Sequence, residues 1–123
     1  MGIRHTLLLG SVILMACQPC SPNHSEFAIG MTRADVLNKF GDPQQVQTMK
    51  KTAEPIWGPI EEIWSQVGMG ATIEMWSYDS CRTSADNGKL SERPGQTELY
   101  FVNESNEVTG IGFYIKGAVY EGS

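Results

Sequence analysis

Three stretches of this chain place side chains of like character at every second position, and that period constrains the fold more than any other feature. Residues 72–78 set Ile73, Met75 and Ser77 against Glu74, Trp76 and Tyr78. Residues 96–102 set Leu99 and Phe101 against Glu98, Tyr100 and Val102, and residues 108–116 gather Ile111, Phe113 and Ile115 on one side. Successive side chains leave a strand on opposite faces, so a period of two predicts three strands of a half-buried sheet. Asn103-Glu-Ser-Asn106 supplies a turn between the last two. Gly110 and Gly112 fall opposite the apolar side of the third stretch, where a bulge or a close backbone approach is expected. Residues 79–95 read as a polar loop turning at Asp86-Asn-Gly88, and loops of that length are often mobile or functional. A weaker strand candidate covers 45–49, followed by a turn at Lys50-Lys51.

Helix signals precede and interrupt the strands. Thr32 is a good N-cap, and Asp35 three residues later completes a capping box with a shorter acid. Met31 and Val36 have the spacing of a hydrophobic staple, and Val36, Leu37 and Phe40 form one stripe. Gly41 can adopt the positive φ that ends a helix, and Pro43 prevents resumption. A second helix is expected from Gly58-Pro59. Ile60, Ile63, Trp64 and Val67 recur at helical spacing, Glu61 and Glu62 lie near the positive end of the dipole, and Gly68 and Gly70 close it. The expected architecture is α+β: one or two short N-terminal helices packed on one face of a small antiparallel sheet, a two-layer sandwich.

Ahead of the domain, Arg4 leads into an apolar run from Leu7 to Ala16 that stops at Cys17. The run is too short to span about 30 Å of hydrocarbon as a helix, so it reads as a secretory leader. Its end, Leu14-Met15-Ala16-Cys17, resembles a bacterial lipobox, which implies cleavage before Cys17 and acylation of that cysteine. Ordinary secretion with an unacylated Cys17 is the alternative. The expected organisation is a lipoprotein signal peptide over 1–16, a lipidated flexible tether over 17–25, a domain over 26–118 and a tail over 119–123. Gln18, where an aspartate would favour inner-membrane retention in enterobacteria, points to the periplasmic face of the outer membrane.

Arg4 is the only Lys, Arg, Asp or Glu in the leader, so its removal takes the net charge from −5 to −6. That sign argues against nucleic acid and against electrostatic docking on anionic headgroups, leaving the N-terminal lipid as the route to the membrane. Three cysteines are present. With Cys17 acylated, Cys20 and Cys81 remain as a candidate disulfide pair that an oxidising compartment permits; two unpaired thiols are the alternative. Cys17, Cys20 and His24 have the residue types of a zinc site, but acylation would remove one ligand, so no metal and no cofactor are expected. His24, the only histidine after the leader, reads as a solvated tether residue. Glu61 and Glu62 diverge by about 100° on a helix. Cys81 beside Arg82 reads as a disulfide or an inert thiol sooner than an activated one. The chain is therefore not expected to be an enzyme.

The lipobox, the run Ile29-Gly-Met-Thr-Arg-Ala-Asp-Val-Leu-Asn-Lys-Phe-Gly-Asp-Pro43, then Trp76-Ser-Tyr78, Leu99-Tyr-Phe101 and Val108-Thr-Gly110 form an ordered series. It resembles the BamE family (SmpA/OmlA), small outer-membrane lipoproteins of the β-barrel assembly machinery and their relatives. The motif positions are Gly30, Met31, Thr32, Val36, Gly41, Pro43, Trp76, Tyr78, Phe101 and Gly110. Residues 44–75 make a longer connection than the family's usual one, so the likeness is to a divergent member. The resemblance implies a BamE-like sandwich and a non-catalytic accessory or scaffold role in envelope assembly, with a protein partner in the envelope. Trp57, Trp64 and Tyr100 are the candidate partner contacts. The alternative is a periplasmic ligand-binding or enzyme-inhibitor lipoprotein, with recognition carried by residues 79–95.

Overall fold

Strands β1 (Gln45–Lys50), β2 (Thr72–Asp86), β3 (Lys89–Val102) and β4 (Gly110–Ile115) pair in that order into one sheet, each neighbouring pair antiparallel. The computed structural model describes residues 20–115. The expected leader, Cys17 and the 119–123 tail lie outside the described residues. Helix α1 (Arg33–Phe40), the single turn α2 (Glu61–Trp64) and a 3₁₀ turn at His24–Glu26 complete the elements. No helix among the described residues is long and apolar enough to cross a membrane.

The expected α+β sandwich is corrected in three respects. The structure is sheet-dominated: among the described residues helix makes up only about 16%, and α1 is the one helix of seven or more residues. Residues 79–95 are not a loop, because β2 and β3 run on as a hairpin from Asp79↔Gln96 to Asp86↔Lys89. Only Asn87 and Gly88 form the turn, with φ of 51° and 78°. Two positive φ values are what a two-residue hairpin turn of the primed kind requires. Finally, the two helical segments cover opposite faces of the sheet.

The distal hairpin escapes a periodicity argument because it has no buried face. From Arg82 to Arg93 the described side chains are exposed or half-exposed, so nothing selects apolar residues at alternate positions. Pro94 fits within β3 because Cys81, its partner, donates its N–H outward to the Pro22 carbonyl, 3.2 Å away. The pair is therefore of the non-hydrogen-bonded type, and the missing proline N–H would have pointed away from β2.

On the first face, Phe27, Val36, Trp76, Tyr78, Leu99, Phe101 and Val108 are buried together beneath α1, with Met31, Phe40 and Ile111 at the margin. Both ends of α1 form as the sequence predicts. Thr32 Oγ1 accepts the Asp35 N–H at 3.1 Å and Asp35 accepts the Thr32 N–H at 3.2 Å. Gly41, at φ 80°, ends the helix, and its carbonyl accepts the Tyr78 hydroxyl at 2.7 Å. Leu37 leaves the expected stripe and is 39% exposed. Arg33 pairs with Glu74 at 3.0 Å, donates to the Ser105 carbonyl and lies 4.2 Å from the Phe101 ring centre. Trp76 and Phe101 thus carry a cation above their faces at the helix start.

On the second face, Ile60, Ile73, Met75 and Tyr100 are buried, flanked by Met49, Ile56, Ile63, Trp64, Val67 and Val102. The apolar residues expected on a second helix do pack here, although only one helical turn forms. Its start has no side-chain cap, and Gly68 and Gly70 follow closely. The Trp64 carbonyl is taken by the Lys51 ammonium instead of a further turn. Gly110 and Gly112 prove to be sites of close approach without a bulge, since the β3–β4 register is unbroken. A Cβ on Gly112 would stand 2.4 Å from Pro59 Cβ and 2.7 Å from the Tyr100 hydroxyl; one on Gly110 would stand 2.8 Å from Ile63 Cγ2.

Residues 20–26 extend the sheet edge where β1 ends. Cys20 and Cys81 are joined by a disulfide with Cα atoms 6.1 Å apart, and Asn23 forms a parallel bridge with Cys81. Asn23 Nδ2 also donates to Thr83 Oγ1 at 2.8 Å, and the Cys20 N–H donates to Glu92 at 3.0 Å. The described part of the expected tether is therefore bonded to β2 and β3.

Candidate functional site

An open cavity of about 370 Å³ lies on the second face, between the sheet and residues 56–60. Its walls are mostly apolar: Met49 from β1, Met75 from β2, and Ile56, Trp57, Pro59 and Ile60 from the covering segment. Pro55 and Pro59 limit the backbone freedom of that segment, and Gly112 lets it lie close to β4. Gln47, Glu98 and Tyr114 supply the polar lining. Small-molecule sites commonly combine an apolar wall with a few placed polar groups in cavities of roughly 300–1,000 Å³.

Glu98 is the chemically distinctive member. It sits on the β3 face that carries Tyr100 and Val102, and it is 8% exposed. One carboxylate oxygen accepts the Tyr100 hydroxyl at 2.7 Å. Burial pushes the Glu98 carboxyl above its ordinary value, with the Tyr100 hydrogen bond opposing the rise. Tyr100 is driven upward as well, first by its own burial and then by the charge and hydrogen bond of Glu98. Among the described residues no Lys, Arg or His lines the cavity. The Tyr114 hydroxyl is engaged with the Gln96 side chain.

A second cleft of about 390 Å³ brings His24 and Arg82 near Glu61, Glu62 and Phe113. His24, expected to be solvated, instead has its Nδ1 3.0 Å from Thr97 Oγ1 and its ring centre 5.0 Å from that of Phe113. Partial burial lowers its pKa, and the Arg82 charge lowers it further. Among the described residues no group of three or more His, Cys, Asp or Glu is placed to hold a metal ion. The Cys20 sulfur is committed to the disulfide, which removes it from the alternative zinc set.

The positions that carry the sequence resemblance divide between structural roles. Gly30 donates its N–H to the Val108 carbonyl and Val108 donates back to Met31, tying the helix approach to the segment before β4. Thr32, Val36 and Gly41 make and seat α1, with Pro43 just beyond it, while Trp76, Tyr78 and Phe101 receive it. Gly110 accommodates Ile63 from the opposite layer. The candidate contact residues separate. Trp57 is 54% exposed at the cavity, Trp64 is half-buried with its indole N–H on the Glu54 carbonyl, and Tyr100 is 0% exposed and closed to any partner. Sequence reasoning missed Glu98, which alternates like a solvent-facing residue. Its only local signal was its place on one face with Tyr100 and Val102.

No family model, curated protein or solved structure matches this chain.

Proposed function

We propose that this chain is a lipid-anchored, non-catalytic accessory protein of the outer-membrane envelope, resembling the BamE component of the β-barrel assembly machinery. Acyl groups on Cys17 hold it on the periplasmic face. The observation that carries this reading is the Cys20–Cys81 disulfide, whose first half-cystine lies three positions after the lipobox cysteine. Disulfides persist in oxidising compartments, so the bond and the leader point to the same side of the inner membrane. Trp57 and the distal β2–β3 hairpin, with Leu90 76% exposed, supply surface for a protein partner.

The test is fractionation followed by crosslinking. The wild-type chain is expected in the outer-membrane fraction with an acylated N-terminus, and Cys17→Ala in the soluble periplasm. Crosslinking of the lipidated form is expected to recover barrel-assembly components. Sedimentation of Cys17→Ala with membranes would sink the anchor; failure to recover those components would sink the partner assignment.

The cavity favours a second reading, a periplasmic ligand-binding lipoprotein. Recovery of a single soluble hydrolase in the same crosslinking experiment would instead favour an enzyme inhibitor.

A further inference from the structure

We infer that the cavity beneath β1–β3 binds a small organic amine, its alkyl or aryl body against Trp57, Ile60 and Met75 and its ammonium group on the Glu98 carboxylate. The inference rests on the ligand-binding reading and names the chemistry of that site. Size comes first: about 370 Å³ lies at the small end of ligand cavities and suits a small molecule rather than a helix or a strand. Charge decides the rest. Glu98 is the only carboxyl group among the described residues of the lining, and no Lys, Arg or His among them answers it. The Tyr100 hydroxyl already donates its proton there. An anionic ligand would therefore meet a carboxyl group in a poorly solvated place, with no cationic group among the described lining residues. An ammonium group instead returns to the carboxylate the compensation that burial removed. The half-exposed Trp57 ring at the cavity gives the body of the ligand an aromatic face to lie on. The net charge of the leaderless chain, −6, also attracts cations from a distance.

The test compares octylamine, octanol and octanoate by calorimetry at neutral pH. The full chain carries Cys17→Ala so that no acyl chain competes. Amide shift mapping on the wild-type cavity locates each compound without relying on any further variant. Octylamine is expected to bind about tenfold or more tightly than octanol, the difference between a charge-assisted and a neutral hydrogen bond. Octanoate is expected to bind more weakly than either. Glu98→Gln keeps an acceptor for Tyr100 and is expected to bring octylamine down to the octanol level. If none of the three compounds shifts residues 47–60, the ligand-binding reading fails with the inference. If all three bind there equally, or octanoate binds best, the cavity takes ligands but the amine assignment is overturned.

Discussion

Replacing Cys20 and Cys81 together by alanine frees a loop closed over a sequence separation of 61 residues. In the chain-entropy description, a loop of that size restricts the unfolded state by about 4 kcal/mol at 25 °C. A domain of this kind has about 5–15 kcal/mol in total, so the bond supplies a large fraction of the margin. The native interactions it gathers, from Cys20 to Glu92 and from Asn23 to Thr83, are exposed and add little beyond this. Urea unfolding followed by tryptophan emission provides the measurement, on oxidised wild type, on wild type with reductant and on the double variant. Both perturbed forms should lose about 4 kcal/mol relative to the oxidised protein. Their transitions should also steepen, because an unlinked denatured chain exposes more surface. A loss below about 1 kcal/mol would refute the reasoning, showing that the unfolded chain is not held by this link. So would a reductant effect on the variant that lacks both cysteines.

Two further perturbations test the second face. Gly112→Ala forces a methyl group against Pro59 and the Tyr100 hydroxyl and should destabilise by about 1–3 kcal/mol in the same urea assay, whereas a neutral result would mean that residues 58–60 do not lie on β4. Burial raises the Glu98 carboxyl above its ordinary 4.5, so between the unfolded and folded values the native chain keeps a proton that the unfolded chain has lost. Stability from this group is therefore present in acid and falls as pH rises through the raised value. Unfolding midpoints from about pH 4 to about pH 8 should show Glu98→Gln gaining on wild type as pH increases, and the opposite trend would contradict a desolvated carboxylate.

What could be read from the letters was whatever the chain decides locally. The ends of α1 follow from Thr32, Asp35, Gly41 and Pro43, residues that act within one turn of themselves. The buried halves of β2 and β3 declared themselves because Ile73 to Tyr78 and Leu99 to Val102 each have faces to fill. Asn87-Gly88 was legible as a turn, but the strands entering it were not, since the described side chains of the distal hairpin are largely exposed and the backbone ladder alone holds them. The second layer shows the same limit from the other side. Ile60, Ile63, Trp64 and Val67 kept the spacing of a helix while needing only one turn, because sheet contact and not helix propensity orders them. Which face they cover is a long-range matter: apolar residues occur on both sides of β2, and no local pattern says which segment covers which side. The cavity is assembled from positions 47, 49, 56–60, 75, 98 and 114, so no window of sequence contains it.

The bond at Cys20 also sets a length. With the acyl groups proposed for Cys17, only Gln18 and Pro19 separate that residue from the first covalent link to the sheet, and the fully extended chain from Cys17 to Cys20 reaches roughly 10 Å. A domain of about 100 residues has a radius of gyration near 13 Å, so the leash is shorter than the body it holds. Such a protein cannot sample the width of the periplasm. On that proposal it would search for partners laterally, along the membrane plane, with the β2 edge near Cys81 kept close to the lipid.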